Sequence, residues 1–199
     1  MTRNSPPSTS DRPAAGPRPG TIRVLGLDPG TLVTGYGVVE RSGERMALVA
    51  CGTITNGPAL PMGPRLRCIF DGLTALIARH RPDQFAIESA FYGKNAQSAL
   101  KLGHARGVSL LAAVQCALPT AEYSPREIKK AVVGSGTASK EQVRFMVGSL
   151  LGVKGPVMDL NASDALAVAI CHLHRVSAGA QPHRNWKSYV AMHPERVVK

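Results

Sequence analysis

Short apolar runs and tight turns between residues 21 and 55 restrict the chain to a sheet that begins as an antiparallel meander. TIRVLGLDPG is rich in β-branched residues and Leu and is stopped by Pro29-Gly30. TGYGVVE (34–40) and MALVACGTIT (46–55) follow it across turns of a few residues. Turns this short join antiparallel neighbours, because a parallel crossover needs a dozen or more residues. Three antiparallel strands are therefore predicted first.

The rest of the chain alternates helical and strand patterns. The predicted elements are a helix from about Gly63 to His80, a strand at QFAIE (84–88), a helix at Asn95–Leu118, a strand at Thr120–Tyr123, two helices opened by Ser124-Pro125 and by Ser139, and a last helix at Asn161–Arg175. The order βββαβαβααα predicts an α/β fold: a five-stranded mixed sheet, antiparallel and then parallel, flanked by helices.

Composition divides the chain into three parts. Residues 1–20 are dense in Pro, Ser, Thr and Gly and are predicted to be a disordered leader. Residues 21–175 form the predicted folded domain, and residues 176–199 form a basic C-terminal tail without a clear period. The leader has no apolar segment typical of a signal peptide, and no run of about eighteen apolar residues occurs. We therefore expect a cytoplasmic protein, with its four cysteines as reduced core thiols.

The net charge indicates the class of partner. The chain carries +11, of which the leader contributes +2 and the tail +3, so +6 remains on residues 21–175. A basic folded domain favours a polyanion, nucleic acid before a membrane surface. Basicity that serves only solubility is the alternative left open.

Three acidic residues lie at positions where burying a carboxylate costs free energy. Asp28 ends the first predicted strand, Glu88 ends the strand FAIE, and Asp164 lies in ASDALAVAI, a helix that is apolar nearly all round. No Arg or Lys is next to them in sequence, and oxygen-rich clusters of this kind suit Mg²⁺ or Mn²⁺, two ions per site. Each residue also has a simpler interpretation: a turn former at Asp28, a strand-end charge at Glu88, and the third residue after an Asn161 N-cap at Asp164.

Four extended blocks resemble those of RuvC-type Holliday junction resolvases. They are VLGLDPGTLVTGYGVVE, FAIESAFYGKNAQSALKLGHARG, SPREIKKAVVGSG-ASKEQV and ASDALAVAICHLH, and together they cover nearly all of residues 22–175. The resemblance implies a ribonuclease-H-like fold and a homodimeric endonuclease that nicks two like-polarity strands of a four-way DNA junction with divalent metal. It also implies the RuvA–RuvB branch-migration complex as a partner.

The same resemblance implies roles for individual residues. Asp28, Glu88 and Asp164 would be the catalytic, metal-binding carboxylates, and Phe91 would insert at the junction centre. Lys129 and Lys140 would contact the phosphate backbone. Lys94 and Arg106 lie along one predicted helix, where they are either a solvated face or further phosphate contacts.

Asn161 departs from the family pattern. The family usually has Asp or His three residues before the last catalytic Asp, whereas this chain has an amide there. The carbonyl oxygen of Asn can still be a ligand for Mg²⁺ or Mn²⁺, but it brings no charge and takes no proton. The sequence therefore predicts three carboxylates plus one amide.

Competing functions remain open at this stage. Actin-like and sugar-kinase ATPases share the opening strand with Asp and Gly but need a second nucleotide-binding lobe, and the GSGTASK segment lacks the G-K-[S/T] of a P-loop. A YqgF-type ribonuclease has a similar first strand, and a junction-binding protein with weakened catalysis would fit Asn161. The small-residue stripe Ala99, Gly103 and Gly107 predicts close packing, against either the protein's own sheet or a second subunit.

Overall fold

A five-stranded mixed sheet organises the computed structural model, which describes residues 20–89, 96–153 and 159–177. The strands are β1 (Thr21–Asp28), β2 (Val33–Ser42), β3 (Arg45–Thr55), β4 (Gln84–Glu88) and β5 (Thr120–Tyr123). Their order across the sheet is β3-β2-β1-β4-β5. β1–β2 and β2–β3 are antiparallel, whereas β1–β4 and β4–β5 are parallel. The predicted fold class is confirmed.

Helices cover both faces of this sheet. They are α1 (Met62–His80), α2 (Ala96–Gln115), α3 (Pro125–Val133), α4 (Lys140–Leu151) and α5 (Leu160–Ser177). α1 and α2 share one apolar core with the sheet, and α3, α4 and α5 share the other. The leader up to residue 19, the tail from 178 onwards, and Phe91 and Lys94 lie outside the described residues.

The segment between α3 and α4 connects two capped helices. Gly134 ends α3 with φ +86°, a left-handed conformation suited to glycine, and Ser139 opens α4 with a capping box to Gln142. Ser124 caps α3 in the same way, with Pro125 as the first helical residue. The helix boundaries predicted from these residues are confirmed, and Gly134 is a helix-end residue.

Side chains of β1 alternate between the two cores. Leu25 and Leu27 belong to the core under α1 and α2, whereas Val24 belongs to the core under α5. The two-residue period of a strand therefore places Gly26 and Asp28 on the α5 face as well. One carboxylate is thus directed at the most buried helix of the protein.

Glycines on this face allow α5 to lie directly against the sheet. Gly26 in β1 pairs with Gly37 in β2. A β-carbon at Gly26 would overlap the carbonyl oxygen of Ala165 and lie 2.6 Å from the backbone nitrogen of Ala169. A β-carbon at Gly37 would lie 2.6 Å from the Leu166 side chain. The helix backbone consequently occupies space that side chains fill elsewhere on the sheet.

At the opposite end of β1, a buried arginine ties the sheet together. Arg23 is 4% exposed, and its guanidinium donates to the Glu40 carboxylate at 2.5 Å and to the carbonyl of His80 at 2.5 Å. The Asp83 carboxylate accepts from the backbone N–H of Arg23 at 2.7 Å. A buried charge is tolerated when it is paired in this way.

Two other expectations have different outcomes. The four cysteines are free thiols, but only Cys171 is buried, and Cys68 is exposed on α1, so the prediction of a core position is wrong for Cys68. Its apolar neighbours belong to the inner face of an amphipathic helix, whereas Cys68 lies on the outer face. Among the described helices, none is both long and apolar enough to cross a membrane.

Substitution of Gly26 tests the contact between α5 and the sheet. We expect Gly26→Ala to lower the free energy of unfolding by about 1–3 kcal/mol, because the added methyl group overpacks against helix backbone that cannot rotate away. Gly63→Ala is the matched control, since a β-carbon there meets nothing within 4 Å. Urea unfolding of both variants measures the effect, and equal stabilities would contradict the interpretation.

Candidate active site

Asp28 and Glu88 end two neighbouring parallel strands. Leu27 of β1 pairs with Ile87 of β4, so the next residue on each strand emerges at the same edge of the sheet. Ala86 belongs to the core under α5, and Glu88 therefore shares that face by the two-residue period. The two carboxylates therefore emerge at one edge of the sheet and on one of its faces.

Helix α5 brings Asp164 to the same edge. The helix is buried from Ala162 onwards, but the Asp164 side chain keeps 20% exposure. A β-carbon at Gly35, the residue paired with Asp28, would overlap the carbonyl oxygen of Asn161. The first turn of α5 therefore lies over the end of β1, and Asp164 follows one turn later.

Burial and mutual repulsion perturb the two strand-end carboxylates. The pKa of Asp28 is raised to about 6, chiefly by burial and then by the charge of Asp164, with Lys140 acting in the opposite direction. The pKa of Glu88 is raised to about 7, again chiefly by burial and then by Asp28 and Asp164, against Lys140 and Lys129. The three carboxylates therefore lie close enough to influence one another.

Two lysines face these carboxylates across a cavity of about 180 Å³ between α3, α4 and α5. The cavity is lined by Glu88, Lys129, Lys140 and Asp164, together with apolar residues of the three helices. The Lys140 ammonium donates to the Asp164 carboxylate at 2.8 Å, and the lysine side chain keeps 68% exposure. This contact raises the pKa of Lys140, chiefly through the hydrogen bond.

Sequence reasoning missed the contact between Lys140 and Asp164. The two residues are 24 positions apart, so inspection of near neighbours indicated carboxylates without a basic partner. Lys140 is the first residue of α4, directly after the Ser139 cap, and that position directs it toward α5. The signal available was the capping box, which fixes where the helix begins.

Asp159, and not Asn161, caps α5. The helix begins at Leu160, and the Asp159 carboxylate accepts from the backbone N–H of Asn161 at 2.8 Å. The same oxygen accepts from the Asn161 side-chain amide at 2.9 Å. The capping interpretation of Asn161 is therefore wrong, because Asn161 is already the second residue of the helix. Its amide nitrogen is engaged, which leaves its carbonyl oxygen as the side-chain atom able to accept a cation.

The spacing and the chemistry of these carboxylates bear separately on a metal site. Across the described segments, no group of three His, Cys, Asp or Glu side chains converges closely enough to hold a metal. The donor set nevertheless fits a hard cation, since it consists of partly buried carboxylate oxygens, and the pKa values of Asp28 and Glu88 are raised by burial first and by the neighbouring carboxylates second. A cation would have to draw the side chains together.

The remaining predicted contacts separate into two groups. Arg106 forms an ion pair with Glu122 of β5, so its charge is partly offset within the protein. Phe91 and Lys94 lie outside the described residues.

On α2, β-carbons at Gly103 and Gly107 would meet nothing within 4 Å, so this small-residue stripe does not pack against the protein's own sheet.

The perturbed carboxyls predict how stability depends on pH without metal. Because the pKa values of Asp28 and Glu88 rise from 3.8 and 4.5 to about 6 and 7, the native state holds more protons than the unfolded state between these limits. The free energy of unfolding should therefore fall as pH rises from 4.5 to 7. Glu88→Gln should stabilise the protein at pH 8 by about 1–3 kcal/mol and change little at pH 4.5.

Urea unfolding in EDTA across this range measures the difference. Glu44→Gln is the matched control, because Glu44 is exposed in the turn between β2 and β3. A Glu88→Gln variant that follows the wild-type pH profile would show that Glu88 is not perturbed.

Comparisons with known proteins show the family of this chain and agree with its fold. Residues 24–172 match the family described as crossover junction endodeoxyribonuclease RuvC. A RuvC of Pelobacter propionicus is 51% identical over 84% of this chain and 99% of its own length. A RuvC of Halorhodospira halophila is 52% identical over 78% of this chain and 92% of its own.

Solved structures give the same result. Thermus thermophilus RuvC, in complex with a Holliday junction substrate, has a TM-score of 0.75 and 32% identity, over 79% of this chain and 96% of that one. The yeast mitochondrial Holliday junction resolvase, with a TM-score of 0.57 and 12% identity, shares the fold. The resemblance drawn from the four sequence blocks is confirmed, and the chain belongs to the RuvC family of crossover junction endodeoxyribonucleases.

Proposed function

We propose that this protein resolves four-way DNA junctions in recombination and repair by symmetric, metal-dependent phosphodiester hydrolysis. The observation that carries the proposal is the meeting of Asp28, Glu88 and Asp164 at one sheet edge, beside a cavity lined by two lysines. A relative with 32% identity was solved with a Holliday junction substrate, and the basic domain suits DNA. The match to the RuvC family does not favour the ATPase or YqgF-type alternatives.

The divalent cations would be held by Asp28, Glu88 and Asp164, with the carbonyl oxygen of Asn161 as a neutral fourth donor. Bound Mg²⁺ or Mn²⁺, two ions per site in this proposal, supplies an activated water and stabilises the leaving oxygen. The chain's own contribution is to hold the carboxylates at one edge and to bury them enough that few waters compete. The positive charge that now offsets Asp164 is the ammonium of Lys140.

Lys129 and Lys140 would bind the phosphate backbone in the same cavity. Both line it, and the side chain of Lys129 makes no hydrogen bond or ion pair within the described part of the chain. Lys140 can exchange its contact with Asp164 for a phosphate, because its side chain is largely exposed. Once cations neutralise the carboxylates, the two ammonium groups no longer have a negatively charged neighbour. A phosphodiester supplies that negative charge.

The outer face of α2 supports a homodimer. Leu100, Leu111 and Val114 are 57–62% exposed, and Gly103 and Gly107 between them leave open space. An exposed apolar stripe of this spacing is typical of a helix that packs against another helix. Two subunits joined through α2 would present two sites, as symmetric nicking of two strands requires. RuvA and RuvB, as partners in the cytoplasm, are part of the same proposal and rest on family membership.

The carboxylates can be tested without altering the basic surface. Asp28→Asn, Glu88→Gln and Asp164→Asn should each reduce junction cleavage by several orders of magnitude, because each removes a negative charge that binds the cations. Junction binding in EDTA should remain near the wild-type value, since the phosphate-binding lysines are retained. The measurements are strand-resolved cleavage of a four-way junction with Mg²⁺ or Mn²⁺ and binding by fluorescence anisotropy.

Glu122→Gln provides the matched control, because this carboxylate pairs with Arg106 outside the site. A site variant that nicks at the wild-type rate would remove that residue from the catalytic set. Wild-type protein that binds the junction but never nicks it would favour the alternative of a junction-binding protein with weakened catalysis.

Asn161 predicts a preference between metals. The site has one negative charge fewer than a site with Asp at this position, and Mg²⁺ depends on charge and ideal geometry more than Mn²⁺ does. We expect faster cleavage with Mn²⁺ than with Mg²⁺, and we expect Asn161→Asp to lower the Mg²⁺ concentration for half-maximal rate about tenfold. Metal titrations of both proteins measure it, and identical curves would contradict a ligand role for Asn161.

A further inference from the structure

A second cavity, of about 510 Å³, lies on the other side of α3 from the catalytic cavity. Arg126 and Lys130 of α3 line it, together with Ser135, Gly136 and Thr137 of the segment that leads to α4. Consecutive helical residues point about 100° apart, so Lys129 faces the catalytic cavity while Lys130 faces this one. One helix therefore presents basic side chains to two separate cavities.

The charges of this second cavity are available to a ligand. The side chains of Arg126 and Lys130 form no ion pair or hydrogen bond in the regions that the structure describes. Glu127 also lines the cavity, but its carboxylate is engaged by Ser124 and by an ion pair with Arg175 at 2.6 Å. The cavity consequently keeps an excess of positive charge.

The polar groups of the cavity are held in position. A β-carbon at Gly136 would lie 2.6 Å from Cγ of Arg126, so the arginine stem lies directly over the glycine. The hydroxyls of Ser135 and Thr137 are 3.0 Å apart, and the backbone N–H of Thr137 donates to Ser135 at 3.4 Å. Two cations and two hydroxyls are thus gathered around one space, as in sites that bind a phosphate.

We propose that this cavity binds a second backbone phosphate of the same DNA strand, away from the scissile phosphate. An α-helix with its side chains is about 10 Å across, and a DNA strand advances by at least about 3.4 Å per nucleotide, so phosphates in the two cavities are separated by at most about three nucleotides. The inference rests on the proposed junction binding. It assigns to Arg126 and Lys130 the task of fixing the register of the strand over the carboxylates.

The test pairs a neutralised phosphate with a neutralised protein. Four-way junctions are prepared with a single uncharged methylphosphonate at each of the positions within five nucleotides of the cleavage site. Wild-type protein and the double variant Arg126→Gln with Lys130→Gln are compared by anisotropy in EDTA. The control combines Arg67→Gln with Arg45→Gln, which removes the same charge from exposed positions on α1 and β3.

The wild type and the control should lose affinity when one phosphate within about three nucleotides of the cleavage site is neutralised, whereas the double variant should show no further loss at that position. Its slope of log affinity against log salt should also be shallower by about 0.9, the value for one phosphate contact. Urea unfolding checks that the double variant is folded. Replacement of Arg126 by Lys instead of Gln, with Lys130→Gln kept, should restore part of the lost affinity.

Four results would overturn the inference. A folded double variant that binds unmodified junction as the wild type does, with the same salt slope, contradicts phosphate binding by this cavity but leaves the proposed function standing. A double variant still sensitive at every methylphosphonate position does the same. If inorganic phosphate stabilises the wild type but not the variant while DNA binding is unchanged, the cavity binds free phosphate instead. Wild-type protein that fails to bind the junction contradicts both this inference and the proposed function.

Discussion

The site depends on the backbone contact between α5 and the glycine-lined face of β1 and β2. Asp28 and Glu88 are fixed by strand pairing alone, but Asp164 reaches them only because no β-carbon separates the helix from Gly26. Ala165 and Ala169 on the facing side of α5 are small for the same reason. The constraint acts on both partners, since a larger side chain on either would raise the helix and remove one carboxylate from the cluster.

The two ends of β1 show opposite solutions to the burial of charge. At its beginning, Arg23 is buried with a carboxylate and a carbonyl as partners, an arrangement that holds the sheet together. At its end, Asp28 and Glu88 are partly buried without any such pairing among the described residues, and the pKa of each is raised. The first arrangement compensates its buried charge, whereas the second lacks such a partner and opposes folding. The catalytic end is therefore a local cost that the two apolar cores must offset.

Much of this organisation could be predicted from periodicity and turns. The short turns around Ser42-Gly43 predicted the antiparallel strands, and the helical pattern before QFAIE predicted a crossover to a later strand. The pairing of β4 with β1, which brings Asp28 and Glu88 to one edge, is seen only in the structure. The approach of Asp164 could not be derived from spacing, because it depends on Gly26 and Gly37 facing the same helix, whose contacting residues Ala165 and Leu166 lie 139 and 129 positions later in the chain. Lys140 was assigned to phosphate by resemblance alone, and its contact with Asp164 appears only when α4 and α5 are packed together.

The position of Asn161 is where local and long-range effects are hardest to separate. Spacing to Asp164 suggested a cap, yet Asp159 performs that role and also holds the Asn161 amide through the same oxygen. The negative charge that a family aspartate would bring into the cluster is thus found two residues earlier, outside the helix, where it orients the amide instead of contacting the site. A carboxylate that fixes a neutral ligand in this way can strengthen its interaction with a cation without adding to the repulsion that already raises the pKa of Asp28 and Glu88. The amide therefore fits a site whose buried carboxylates already destabilise the metal-free protein.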